Sequence, residues 1–134
     1  MVTFAKKRIL ICDDDPDILG FLELLLQHDG YDAVIASGHA EMQEHLRRGN
    51  PDLILMDIRM PEWDGFDIAE NLRRSGLLTP IIFVSAHDNT FCRIYAQTLG
   101  AVGYFPKPID AELLLLRIKD TLAPPVCARA ASPA

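Results

Sequence analysis

Four places along this chain put a chemically capable residue at the end of a short apolar run. The first is Asp13-Asp14-Asp15, which follows Arg8-Ile9-Leu10-Ile11-Cys12. Three adjacent carboxylates repel one another, so the run is costly unless a cation or solvent relieves it. Asp15 is accounted for as a helix cap. Asp13 and Asp14 are better explained by a cation, and hard oxygen ligands of this kind suit Mg²⁺. The second is Asp57, behind Leu53-Ile54-Leu55-Met56 and leading into Ile58-Arg59-Met60-Pro61-Glu62-Trp63-Asp64-Gly65. The third is Ser85, behind Ile81-Ile82-Phe83-Val84, and the fourth is Lys107, behind Val102-Gly103-Tyr104-Phe105 and flanked by Pro106 and Pro108. Singly, Ser85 reads as the start of a turn and Lys107 as a surface lysine. Together the four places supply an acid pair, a third acid, a hydroxyl and an ammonium, and chance is a poor explanation for such a set.

The elements that must bring them together follow from the hydrophobic pattern. The apolar runs named above, with Ala33-Val34-Ile35-Ala36, read as five strands, and three of them are apolar nearly throughout, as strands buried on both faces should be. Between them lie helical stretches. The first opens at Asp15-Pro16, an acid cap followed by proline at the first helical position, and closes near Gly30. Others are expected over 39–48, 66–75, 89–99 and 110–122. Strand and helix thus alternate five times, which implies an α/β, doubly wound fold: a five-stranded parallel sheet with helices on both faces. In such folds ligands bind beyond the carboxyl ends of the strands, where the strand order reverses. The four polar strand ends are therefore expected to face one crevice.

A single domain is expected over 7–122. After Leu122 the composition changes to Ala-Pro-Pro-Val-Cys-Ala-Arg-Ala-Ala-Ser-Pro-Ala, and 123–134 is read as a flexible tail or linker stub. A net charge of -6 argues against direct binding of nucleic acid, which requires clustered Lys and Arg. Cys12, Cys92 and Cys127 have neither metal-binding nor redox spacing, and their odd number fits a reducing compartment. No apolar run approaches the roughly 20 residues of a spanning helix, and the N-terminus lacks the core of a signal peptide. A cytoplasmic protein without membrane contact is expected.

The ordered set Asp13-Asp14, Asp57 with Met60-Pro61 and Asp64-Gly65, Ser85-Ala86 and Lys107-Pro108 resembles the receiver domain of bacterial two-component response regulators, over about Lys7 to Leu122. The resemblance implies a flavodoxin-like (βα)5 fold with strand order 2-1-3-4-5. It also implies a signalling domain that takes phosphate from a sensor histidine kinase or a histidine phosphotransfer protein, catalysing only its own phosphorylation and dephosphorylation. Asp57 would be the acceptor. Asp14, Asp57 and the carbonyl of Arg59 would ligate Mg²⁺, with Asp13 acting through a water. Ser85 and Lys107 would meet phosphoryl oxygens, and Tyr104 would be the rotating aromatic of a switch. The Lys107-Pro108 peptide would be cis. The fourth helix, fifth strand and fifth helix would form the surface that changes, engaging an output partner or a second copy.

Arg59 and His87 lie two residues beyond Asp57 and Ser85, positions that in receivers flank the path of the hydrolysing water. A long cation and an imidazole there predict a slowly lost phosphoryl group. The fourth helix carries more apolar residues than one buried stripe needs, most of them expected in the core. His28, His39 and His45 are expected at the surface and Trp63 partly exposed. Two alternatives remain open at this level: an aspartyl-nucleophile phosphatase of the haloacid-dehalogenase type using Asp13 and Asp15, and a degenerate receiver that acts only as an interaction module. A flavin-binding module fits the fold alone and is set aside because the Asp-rich first turn would repel a flavin phosphate.

Overall fold

The computed structural model describes residues 6–123; most of the expected tail lies outside them. Five strands and five helices alternate: β1 (Arg8–Cys12), α1 (Pro16–His28), β2 (Asp32–Ala36), α2 (His39–Arg48), β3 (Leu53–Asp57), α3 (Gly65–Arg74), β4 (Ile81–Ser85), α4 (Thr90–Thr98), β5 (Ala101–Pro106) and α5 (Ala111–Leu122). All strand pairs are parallel and the order is β2-β1-β3-β4-β5. The chain turns to one side after β1 and to the other from β3 onward, which opens the crevice between the carboxyl ends of β1 and β3.

Alternation along each strand divides the core. Ile9, Ile11, Leu53, Leu55, Ile82 and Val84 face α1 and α5, where Leu19, Leu22, Leu26, Leu114 and Ile118 meet them. Leu10, Cys12, Ile54, Met56 and Phe83 face the other way, onto Met42, Ile68, Ala69, Leu72 and Ala96. The helices start where the sequence provides caps: Asp15, Asp64, Asn89 and Asp110 each accept a backbone N–H from the first turn.

β3, β4 and β5 run beyond their apolar cores to include Asp57, Ser85 and Pro106, because pairing continues to Asp57↔Val84 and Ser85↔Pro106. Proline is admissible there because β5 is an edge strand, where a missing N–H leaves no ladder partner unmet. The next residue resumes the pattern: Lys107 N–H donates to the Ser85 carbonyl at 2.8 Å.

The expectation for α4 was incorrect. Only Ala96 is buried, while Phe91 and Ile94 are exposed and Cys92, Tyr95 and Leu99 are half-buried. The nine-residue helix packs beside an edge strand that is itself only half-buried throughout, so there is too little sheet to cover a wide apolar face.

Two glycines should respond oppositely to the same substitution. A Cβ on Gly65 would lie 2.2 Å from the Asp57 carbonyl oxygen and 2.8 Å from Ile58 Cα, both rigid backbone. Gly20, inside α1, has open space around its would-be Cβ. Urea unfolding should show Gly65→Ala destabilised by about 2 kcal/mol or more through overpacking. Gly20→Ala should gain about 0.5–1 kcal/mol from helix propensity. Equal effects at the two positions would contradict this account of the β3–α3 junction.

Candidate functional site

The carboxyl ends of β1, β3, β4 and β5 bring Asp13, Asp57, Ser85 and Lys107 to one crevice. Asp13 is 1% exposed and extends the β1 ladder by donating its N–H to the Ala36 carbonyl. Its carboxylate is fixed on both sides: one oxygen accepts the Asp15 N–H at 2.9 Å and the other accepts from Lys107 Nζ at 2.8 Å. Asp57 is 5% exposed, with Oδ2 3.5 Å from Lys107 Nζ and Oδ1 3.4 Å from the Arg59 N–H. Asp14 is exposed, yet carboxylate oxygens of Asp13, Asp14 and Asp57 all lie within 4.8 Å of one another. Three hard oxygen donors with an open side fit Mg²⁺, which retains several waters.

Burial raises the Asp57 pKa to about 7. The Asp13 charge adds to the rise, and Lys107 with the Arg59 N–H opposes it. Burial works against the ammonium of Lys107, but its hydrogen bond to Asp13 and the charges of Asp13 and Asp57 outweigh burial and raise its pKa. Lys107 therefore stays cationic while Asp57 sits near the boundary between acid and base.

Ser85 is fully buried, and its Oγ accepts the His87 N–H at 3.0 Å. The His87 carbonyl in turn accepts the Tyr104 hydroxyl. Sequence reading pointed to the His87 imidazole and missed this backbone bridge between Ser85 and Tyr104. A serine two residues ahead of a turn amide was the available signal. The His87 and Arg59 side chains are exposed, and among the described residues Arg59 pairs with no acid, Glu62 included. The Lys107-Pro108 peptide is cis, as expected. Asp15 is turned away from the crevice and accepts the Asp17 N–H as the α1 cap, so Asp13 and Asp15 do not form the pair that a phosphatase would require.

Two histidines were misplaced by sequence reading. His45 Nε2 is 2.9 Å from the Ile35 carbonyl, and His39 stacks on the half-buried Trp63. The signal for His45 was its place on the inner side of an amphipathic α2; none existed for His39, whose partner is 24 residues away in sequence. A cavity of about 720 Å³ lies at the opposite end of the sheet beside Asn50, Leu77 and Thr79, and no acid lines it.

Comparison with known proteins agrees with this geometry. Residues 9–119 match the family model described as the response regulator receiver domain. The chain is 34% identical over 117 residues to the alkaline phosphatase synthesis transcriptional regulatory protein PhoP of Bacillus subtilis, covering 87% of this chain and 49% of that protein. It is 36% identical over 115 residues to the response regulator MprA of Mycobacterium leprae, covering 86% and 50%. The chain thus spans about half the length of these curated relatives. Among solved structures, a receiver domain protein of Methanospirillum hungatei superposes with a TM-score of 0.81 at 30% identity, covering 88% of this chain and 94% of that one. The chemotaxis protein CheY4 of Vibrio cholerae gives 0.81 at 26%, covering 88% and 100%.

The Asp57 environment has a consequence for stability. Without a divalent cation, the folded state retains a proton on Asp57 up to about pH 7, whereas an unfolded aspartate loses it near 3.8. The contribution of Asp57 to stability is therefore lost as pH rises from about 4 to about 7, and above that the buried charge is a net cost. In EDTA, Asp57→Asn should be more stable than wild type at pH 8 by up to about 2–4 kcal/mol. The gain should shrink toward zero near pH 4. A gain independent of pH would contradict the assignment.

Proposed function

The chain belongs to the response regulator receiver domain family, and on that premise we propose that Asp57 is a phosphoryl acceptor, loaded with the help of Mg²⁺ from a phosphohistidine of a sensor histidine kinase or histidine phosphotransfer protein. The observation that carries the reading is Asp57 itself: a carboxylate 5% exposed at the crevice, 3.5 Å from an ammonium and beside two further acids.

In the reaction, an Asp57 carboxylate oxygen attacks phosphorus as the P–N bond to the donor imidazole breaks, and the imidazole leaves neutral on taking up a proton. The products are an acyl phosphate and free histidine. Lys107 is placed to follow one phosphoryl oxygen, and Asp13 keeps it from swinging out to solvent. When bound at Asp14, Asp57 and the Arg59 carbonyl, with Asp13 behind a water, Mg²⁺ supplies charge neutralisation and in-line alignment. The remaining contribution is positioning by fixed groups.

Ser85 couples this event to the surface. When its hydroxyl donates to a phosphoryl oxygen, its hold on the His87 N–H loosens, and with it the carbonyl that anchors Tyr104. Tyr104 can then turn inward, and Arg93, whose guanidinium lies 5.0 Å from the Tyr104 ring centre, loses its platform. Phe91 and Ile94 on α4 and Leu113 and Leu116 on α5 are exposed nearby, a surface for an output partner or a second copy. PhoP is named as a transcriptional regulatory protein, and it and MprA are about twice as long as this chain, so DNA binding is assigned to an output segment of such a protein and not to this acidic domain.

Acetyl phosphate with Mg²⁺ should add one phosphoryl group by intact mass, and Asp57→Asn should abolish the addition. Following its loss tests the Arg59 and His87 reading: Arg59→Asn and His87→Glu should each shorten the phosphoryl lifetime severalfold. Undiminished labelling of Asp57→Asn would refute the acceptor, and equal or longer lifetimes in both variants would refute the shielding.

A further inference from the structure

The imidazole of His39 and the indole of Trp63 lie face to face, with ring centres 3.9 Å apart and planes 7° from parallel. The rings come from different crossovers. His39 is the first residue of α2, and Trp63 sits in the turn between β3 and α3 that also carries Arg59. That turn is closed on itself by backbone: Met60 and Trp63 exchange two hydrogen bonds of 3.2 Å, Arg59 bridges to Asp64, and Gly65 N–H donates to the Ile58 carbonyl. It therefore moves as a unit, and a side chain that holds Trp63 holds the Arg59 backbone with it.

The His39 side of the contact is built to be stiff. Glu41 accepts both the Ser37 N–H at 2.7 Å and the Ser37 hydroxyl at 2.5 Å, tying down the turn that leads into α2. The imidazole is thus delivered from a braced helix start. Its Nδ1 is buried without a hydrogen-bond partner among the described residues, an unfavourable state for a polar atom. Nδ1 therefore adds nothing to the contact; what the ring contributes is a flat face, and two flat faces in van der Waals contact attract by dispersion.

We propose that His39 is a positioning residue for the cation. By stacking on Trp63 it fixes the β3–α3 turn, and so the Arg59 carbonyl, in the place from which that oxygen serves Mg²⁺. The proposal rests on the cation site at Asp14, Asp57 and Arg59 argued above, and extends the supporting structure to a residue of α2 that touches neither metal nor phosphate.

The test measures Mn²⁺ binding by electron paramagnetic resonance, with Mg²⁺ as competitor, alongside Trp63 emission and thermal unfolding. His39→Ala should weaken Mn²⁺ binding about 3–10-fold, equivalent to about 0.7–1.4 kcal/mol, and should shift Trp63 emission to the red. His39→Phe, which keeps a flat face, should restore binding to within about twofold. Trp63→Phe probes the brace from the other side without depending on the fold of the His39 variants, and should stay within about twofold of wild type. The proposal is overturned if His39→Ala moves the emission but leaves Mn²⁺ affinity unchanged, or if His39→Phe binds as weakly as His39→Ala. Asp14→Ala separates the two levels: normal Mn²⁺ binding there would refute the cation site itself, whereas its loss beside an unaffected His39→Ala would refute only the brace.

Discussion

A carboxylate taken out of water at a strand end must be met by a positive charge, and in this molecule Lys107 meets two of them. Its ammonium donates to Asp13 at 2.8 Å and lies 3.5 Å from Asp57, so one cation joins the ends of β1, β3 and β5 across the breadth of the sheet. Breaking such a group while leaving its partners buried typically costs about 3–5 kcal/mol. Lys107 is held in turn by the sheet, through its N–H bond to the Ser85 carbonyl one residue past the edge proline. Much of the architecture can be read as the means of delivering that ammonium: an edge strand that tolerates Pro106, a fully buried β4 between Lys107 and Asp57, and a strand-order reversal that leaves the crevice open.

The same arrangement leaves the site short of positive charge. One ammonium faces three carboxylates within 4.8 Å of one another, and Asp57 is the one whose pKa rises to about 7. A divalent cation would relieve this imbalance, and on the proposed reading it is what would let an acidic crevice accept an anionic phosphoryl group. The elements around it differ in how firmly they are fastened. The C-terminal end of α4 is secured by Arg73, which donates to the carbonyls of Leu99, Leu77 and Thr79. Its N-terminal end relies on the Asn89 cap and an exposed Arg93–Asp88 pair, an interaction worth little in water. The loosely held end is the one beside Ser85, His87 and Tyr104.

Much of this was legible in the sequence because it rests on local rules. Five apolar runs separated by helical stretches dictate a parallel sheet, and Asp13, Asp57, Ser85 and Lys107 stand out because each stands at the end of such a run, Lys107 one proline beyond it. What escaped the sequence depends on distance in space or on shortage of surface. The exposure of Phe91 and Ile94 reflects a half-buried edge strand, which their helical spacing cannot report. The stack of His39 on Trp63 joins two crossovers, and the bridge from Ser85 to Tyr104 runs through the His87 backbone, which carries no residue-type signal. The strand ends extend to Asp57, Ser85 and Pro106 because backbone pairing does not stop where hydrophobicity does.

The central claim is that Asp57, out of four acids at the ends of β1 and β3, is the one that carries a phosphoryl group. An acyl phosphate is reduced by borohydride to the alcohol, whereas a free carboxylate is not, so reduction marks the acceptor permanently. After incubation with acetyl phosphate and Mg²⁺, borohydride reduction and peptide sequencing by mass spectrometry should find homoserine at position 57, with Asp13, Asp14 and Asp15 unchanged. Homoserine at any of those three positions, with Asp57 intact, would contradict the account.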